Sequence, residues 1–315
     1  MHLYGAAMVR NEADIIEAFV RHNFTVLDGL AIVDHGSIDG TAEILAALLA
    51  EGLPVTVSTS EIVSHLQSEV TTRLVRDLFA RTPADFVFVI DADEFLKIPS
   101  RPLIEDVLGQ LPRDMHALLQ WQTYVPDFGT FGGKPEMRAL LASSQRLVEE
   151  RHGLRKVVAS RHLLDTPDAY VENGNHVIRP SKAHAIARLS NPHAGLKPAV
   201  AALAHVPVRS ADQFTAKIAV GWLATLAANH DDPNVGFHWR DAYRDIASGL
   251  TLSPQVLTTI ACNYSIPKGR WLPPEQVPRI ADPFLADIEL KYVHLSRQRP
   301  LPLVLAFAER LIRGA

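Results

Sequence analysis

FVFVIDADEFL, residues 86–96, sets an apolar run against a cluster of carboxylates. Phe86 to Ile90 form an unbroken apolar run, the pattern of a strand covered on both faces, and the run stops at Asp91, Asp93 and Glu94. Carboxylates at that density are costly in a core, so the strand should leave the core where an edge meets a ligand. The same rhythm precedes it. LYGAAMV (3–9), GLAIVD (29–34) and LPVTVS (53–58) read as strands, with DFVFVID (85–91) as the fourth. Between them, helical spacing groups Ile15, Ile16, Phe19 and Val20, then Ile44, Leu45, Leu48 and Leu49, then Val70, Leu74, Leu78 and Phe79. Strands joined by helical crossovers predict an α/β, Rossmann-like, mainly parallel sheet with helices on both faces.

Past residue 100 the pattern loosens. HALLQWQTYV (116–125) reads as a further strand, PDFGTFGGKPE (126–136) as a glycine-bearing loop, and 138–209 as a βαβ or β-rich section ending in ALAHVPVRS (202–210). Helical spacing then dominates, interrupted by prolines at 267–283. The expected division is therefore 1–210, a catalytic domain, and 211–315, a helical C-terminal region.

Of the 315 residues, 47% are apolar, enough for a sizeable core, and the net charge of −4 offers no positive field for nucleic acid. Cys262 is the single cysteine, which excludes an internal disulfide and a cysteine-rich zinc site and fits packing in a reducing cytoplasm. Neither a secretory leader nor a run of ~20 apolar residues is present, so the reading is cytoplasmic. RPLPLVLAFAERLIRG (299–314) is open to two readings: a helix lying on the inner membrane face, or one packed on its own protein or on a second subunit of a homo-oligomer.

The polar residues gather where the strands end: Arg10-Asn11-Glu12, DHGSIDGT (34–41), STSE (58–61) and DADE (91–94). Two carboxylates at i and i+2 suit a hard cation, Mn²⁺ or Mg²⁺, sharing its shell with a diphosphate; a plain strand-end turn is the other reading. In DHGSIDGT, Asp34 could accept from a base or ribose and Gly36 and Gly40 could admit a nucleotide. Asp39, Gly40 and Thr41 also read as an ordinary helix start.

MVRNEAD, VDHGSIDGT and FVFVIDADEFL, followed by Gly174-Asn175-His176 and by His205-Val206-Pro207-Val208-Arg209-Ser210, resemble the family 2 glycosyltransferases of GT-A fold, in particular a bacterial branch with a DADEF motif. The motifs cover residues 3–221. The resemblance implies a UDP- or GDP-type nucleotide-diphospho-sugar donor and a carbohydrate or lipid-linked acceptor, with transfer by inversion. It places Arg10, Asn11, Glu12, Asp34, Ser37, Asp39 and His176 among the substrate contacts, and Asp91, Asp93 and His205 on the metal, with Glu94 behind them. His35 stands where relatives carry an acidic or polar residue.

Lys156 and Arg209 are candidate phosphate contacts. Glu172 is the expected catalytic base, with Asp168 and Asp127 as alternatives. Trp121, Tyr124 and Phe128 could stack on a sugar or fill the core. A phosphatase of the haloacid-dehalogenase kind would carry its DxD near the N-terminus with Thr or Val at the fifth position, where this chain has Phe95. A nucleotidyltransferase would want a basic, glycine-rich loop after strand one, which RNEAD is not. The competing reading within the same fold is a non-catalytic nucleotide- or sugar-binding relative.

Overall fold

The computed structural model describes residues 1–62, 64, 66–130, 136–180, 193–228 and 236–314. In chain order its first half runs β1 (Leu3–Val9), α1 (Ile16–Asn23), β2 (Gly29–Asp34), α2 (Thr41–Ala50), β3 (Val55–Thr59), α3 (Gln67–Arg81), β4 (Phe86–Val89) and β5 (Glu94–Lys97). Then come α4 (Arg101–Gly109), β6 (His116–Val125), α5 (Met137–Ser143), β7 (Gln145–Leu147), β8 (Arg155–Ser160), β9 (Tyr170–Val171), β10 (Ile178–Arg179), β11 (His193–Gly195) and β12 (Ala202–His205). The last third carries α6 (Ala211–Ala227), α7 (Phe237–Ala247), α8 (Pro254–Cys262), β13 (Arg279–Ala281) and α9 (Pro300–Gly314).

Along the main sheet the order is β13-β7-β6-β8-β4-β1-β2-β3. The stretch β4-β1-β2-β3 is parallel throughout, as the crossovers require. Beyond it β8 and β7 run antiparallel to β6, and β12 lies parallel to β6 but antiparallel to β5. Alternation across β4 explains its continuous apolar run. Phe86 and Phe88 join the core under α1 and α2, whereas Val87 and Val89 join the core under α3. Each such side chain, wholly removed from water, stabilises the fold by about 1.5–3 kcal/mol.

Two of the expected helix faces are shifted. Leu49 is exposed, because the buried stripe of α2 is Ile44, Leu45 and Leu48. In α3 the buried stripe is Thr71, Val75, Leu78 and Phe79, with Val70 and Leu74 at its margin. The β-rich section between 138 and 209 is present, with residues 181–192 outside the described residues, as are 131–135 of the expected glycine loop.

The C-terminal region is not helical throughout. Residues 279–281 add β13 to the sheet edge at β7. The chain then returns across the first half as an extended strap. Phe284 packs on Phe95 and Tyr124 with ring centroids 5.2 and 4.6 Å apart. The Ala286 amide donates to His22 Nδ1 (3.0 Å), and the Lys291 and Tyr292 amides donate to the buried Glu17 carboxylate (2.8 and 2.7 Å). The strap ends in α9, whose Phe307 packs with Val220 and Ala224 of α6 while Leu301, Leu305 and Ile312 stay exposed. No helix among the described residues is long and apolar enough to cross a membrane.

Glu17 is the pin of this strap. Its carboxylate also accepts from Arg21 Nε at 2.9 Å and is 2% exposed. Glu17→Ala leaves two backbone donors without partners and is expected to lower unfolding free energy by about 2–4 kcal/mol in urea titration, with faster proteolysis in 284–298. An unchanged midpoint would show the strap to be held elsewhere.

Candidate functional site

In the parallel half of the sheet β1 lies between β4 and β2, so the chain direction of the crossovers reverses between β1 and β4. At such a switch point the loops leaving neighbouring strands diverge and open a crevice at the carboxyl edge. A cavity of about 570 Å³ occupies it, lined on one side by Met8 to Glu12 leaving β1 and on another by Asp91, Ala92 and Asp93 leaving β4.

The DAD turn is shaped by its surroundings. Glu94 folds its carboxylate back onto the Asp91 amide (2.8 Å), and β5 then turns the chain antiparallel to β12. Asn23 of α1 holds β5 from the other side, donating to the Glu94 carbonyl and accepting from the Leu96 amide. The β5–β12 register sets His205 opposite Glu94, with the Val206 amide donating to the Asp93 carbonyl at 2.9 Å. That register is why a histidine 112 positions later stands beside Asp93.

Each aspartate of the turn faces its own ammonium. Lys156 on β8 reaches past the end of β4: Val158 pairs with Phe88, so Lys156 falls beside the exit of the strand. Its Nζ pairs with Asp91 and lies 3.2 Å from Glu94 Oε1, while Asn175 and Gln67 donate to the other Asp91 oxygen. Lys217 of α6 donates to Asp93 Oδ2 at 2.5 Å. Burial disfavours both ammonium ions, yet Asp91 and Glu94 on one and Asp93 on the other outweigh it and raise both lysines above their usual range. Burial alone would lift Asp93, but Lys217, His205 and Arg209 hold it well below the usual carboxylate range. Burial pushes Glu94 up to about 8 against the pull of Lys156.

His205 rests on Trp121, ring centroids 3.9 Å apart, and its Nε2 lies 3.7 Å from Asp93 Oδ2. Burial lowers its pKa to about 4, so the ring is neutral. Whether these groups fit Mn²⁺ or Mg²⁺ turns on that pair. Asp93 and a neutral His205 face one another with the right donor atoms, and a divalent ion of this kind commonly takes only one or two protein ligands plus substrate phosphates. Asp91 does not join them, because its carboxylate is turned to Lys156, Asn175 and Gln67. Among the described residues no three His, Cys, Asp or Glu side chains form a metal-binding group.

Of the residues expected from the sequence, Arg10, Asn11, Glu12, Asp91, Asp93, Lys156, His176 and His205 line the cavity together. Five do not. Arg209 lies behind the cavity wall, where it forks onto Asp14 (2.7 and 3.0 Å) and Glu12 (2.5 Å). Asp34 is buried and accepts from the Ser37 amide, and Ser37 Oγ accepts from the Asn11 amide. Asp39 is a staple, accepting from Ala13, Thr41 and Gln298. Glu172, expected as the base, sits at the β9–β10 turn and pairs with Arg179 at 3.2 Å. Asp127 closes its own turn onto Gly129 and Thr130, and neither it nor Asp168 lines the cavity. Trp121 does line it, but Tyr124 and Phe128 belong to the core.

The glycines of DHGSIDGT admit the strap and α9. A Cβ on Gly36 would meet the Arg310 guanidinium at 2.2 Å, and one on Gly40 the Leu295 carbonyl at 2.2 Å; both have positive φ, 73° and 108°. Arg310 donates to the Gly36 carbonyl at 2.9 Å. Asp39 accepts from the Thr41 amide at 3.0 Å, while the N-cap of α2 is Gly40, with no side-chain cap. Sequence reasoning missed Lys217, although it is the only basic side chain within α6, and it missed His152, His238 and Tyr264, which complete the cavity wall from loops and helices far along the chain.

Removing Lys217 leaves Asp93 charged, buried and short of its principal partner. Lys217→Met is expected to cost about 3–5 kcal/mol, and Asp93→Asn combined with Lys217→Met to recover more than half of it. Chemical denaturation of the four members of this cycle measures it; additive losses would contradict the pairing.

No protein-family model matches the chain, and no curated protein does. Similar solved structures include S. aureus TarS 1–349 (TM-score 0.38, 13% identity, 84% of this chain and 79% of that one). The mannosyltransferase PcManGT from Pyrobaculum calidifontis, in complex with GDP-Man and Mn²⁺, has TM-score 0.38 and 15% identity over 100% of this chain and 76% of its own. Glucosyl-3-phosphoglycerate synthase from Mycobacterium tuberculosis, with Mn²⁺, UDP and glucosyl-3-phosphoglycerate, has TM-score 0.34 and 19% identity over 74% and 81%. Likenesses of this size carry no argument about the site, whose chemistry rests on the side chains above.

Proposed function

We propose that this chain is a glycosyltransferase that moves a sugar, with inversion, from a nucleoside-diphosphate donor of UDP or GDP type to an acceptor hydroxyl. The observation that supports it best is a cavity at the β1–β4 switch point into which two lysines and the paired aspartates of a strand-end DAD turn converge. A diphosphate placed there would draw on Lys156 and Lys217 in exchange for part of their pairing with Asp91, Glu94 and Asp93. The ends of β1, with Arg10 and Asn11, form the side toward the nucleoside.

In the transfer, the acceptor oxygen bonds to the anomeric carbon as the bond from that carbon to the diphosphate oxygen breaks. The diphosphate leaves with the electron pair, and the hydroxyl proton passes to a basic group of the cavity wall. Lys156 and Lys217 face the negative charge that grows on the leaving group, and low solvent access makes their attraction stronger than in water. Mn²⁺ or Mg²⁺, when bound by Asp93 and His205, would supply further charge at the same phosphates. Residues 1–210 form the sheet side of this site, and 211–315 close it from above with Lys217, Gly221, His238 and Tyr264.

Nucleoside diphosphates should raise the melting temperature by a few degrees at saturating concentration, UDP or GDP with Mn²⁺ most, because only the folded chain binds them. Asp93→Asn should lose that shift, and UDP- or GDP-sugar should release free diphosphate slowly without acceptor. Binding without any release would favour the non-catalytic relative. No shift with any nucleotide would refute the donor assignment.

A further inference from the structure

A second cavity, about 780 Å³, lies among α6, α7, α8 and the turn after α8. Its size falls within the range of small-molecule sites. It adjoins the first cavity, since Phe237, His238, Tyr264 and Ser265 line both. We propose that this cavity receives the acceptor, and that the acceptor carries its hydroxyl on an apolar body. The proposal rests on the glycosyl-transfer reading and names the second substrate class of that same site.

The lining decides the chemistry. Phe214, Ile218, Ile246, Leu252, Val256 and Ile260 present apolar surface. The charged groups at its margin are engaged with one another: Lys268 pairs with Asp245, and Asp241 with Arg240 at 3.0 Å. A sugar alone would find few open hydrogen-bond partners on such walls, whereas an alkyl or prenyl chain would bury its area there. Helix α7 points to the same conclusion. Its Phe237, Ala242 and Ile246 line the cavity, and although Ala242 and Ile246 pack at the edge of the core cluster of α6 and α8, none of its residues is buried.

The shared wall aims the occupant at the chemistry. Lys217 Nζ lies 5.9 Å from the Tyr264 ring centroid, so a head group passing Tyr264 arrives beside the ammonium that faces Asp93. Ser265, next along, holds φ at 59°, a conformation unfavourable for a residue with a Cβ and retained here at the junction of the two cavities.

Calorimetric titration of the full chain with n-octyl β-D-glucoside, below its micelle concentration, and with methyl β-D-glucoside tests the assignment. The octyl compound should bind at least tenfold more tightly. Ile260→Trp, filling the cavity from α8, should weaken it at least tenfold, and so should Ala242→Trp from the half-buried α7, a variant that bears less on the core. UDP or GDP affinity should stay within twofold in both. Equal binding of the two glucosides, or octyl binding unchanged in both variants, would overturn the inference. Octyl glucoside binding in a chain that binds no nucleoside diphosphate would refute the donor reading instead and leave the apolar site standing.

Discussion

The arrangement around the crevice depends on the pairing of buried carboxylates with buried cations at the exit of β4. Asp93 has three positive or neutral nitrogen partners around it, from Lys217, His205 and Arg209, and Arg209 in turn clamps Glu12 and Asp14 from the loop after β1. Charges removed from water cost several kcal/mol each unless they are matched, so these side chains cannot be read one at a time. The network joins β1, β4, β12 and α6. It ties the floor of the cavity to four elements of the fold.

Much of this was legible in the residues. The boundaries of β1, β2 and β6 follow from apolar runs ended by polar clusters, and the parallel order of the first four strands follows from the helices between them. The carboxylate half of the site was also legible, because Asp91 and Asp93 lie next to their own strand. Of the cationic half, Lys156 stood among the candidates without its pairing to Asp91, and Lys217 did not stand among them at all. Lys156 reaches Asp91 through an antiparallel register, and Lys217 reaches Asp93 through the docking of a helix 124 positions away, neither of which leaves a local pattern.

In DHGSIDGT the local pattern marks a close approach without naming the neighbour. Glycines with positive φ mark a close approach of other atoms, but not which atoms approach. Here the visitors are Leu295 and Arg310 of the same chain, brought over by a strap whose path is fixed by single contacts: Glu17 with two amides, His22 with Ala286, Phe284 with two rings. A three-residue strand such as β13 and a segment held mainly through backbone groups have no periodicity to detect. Arg209, expected on a phosphate, clamps Glu12 and Asp14, and in sequence a basic residue that holds carboxylates looks like one that awaits an anion.

A crystal structure of the chain grown with UDP or GDP and Mn²⁺ would show directly whether the crevice holds the donor. The diphosphate should appear at the mouth of the β1–β4 crevice, its oxygens within hydrogen-bond reach of Lys156 and Lys217 and its nucleoside toward Arg10 and Asn11. A nucleotide bound elsewhere, or a crevice in which Lys156 and Lys217 stay sealed against their aspartates at saturating ligand, would contradict it.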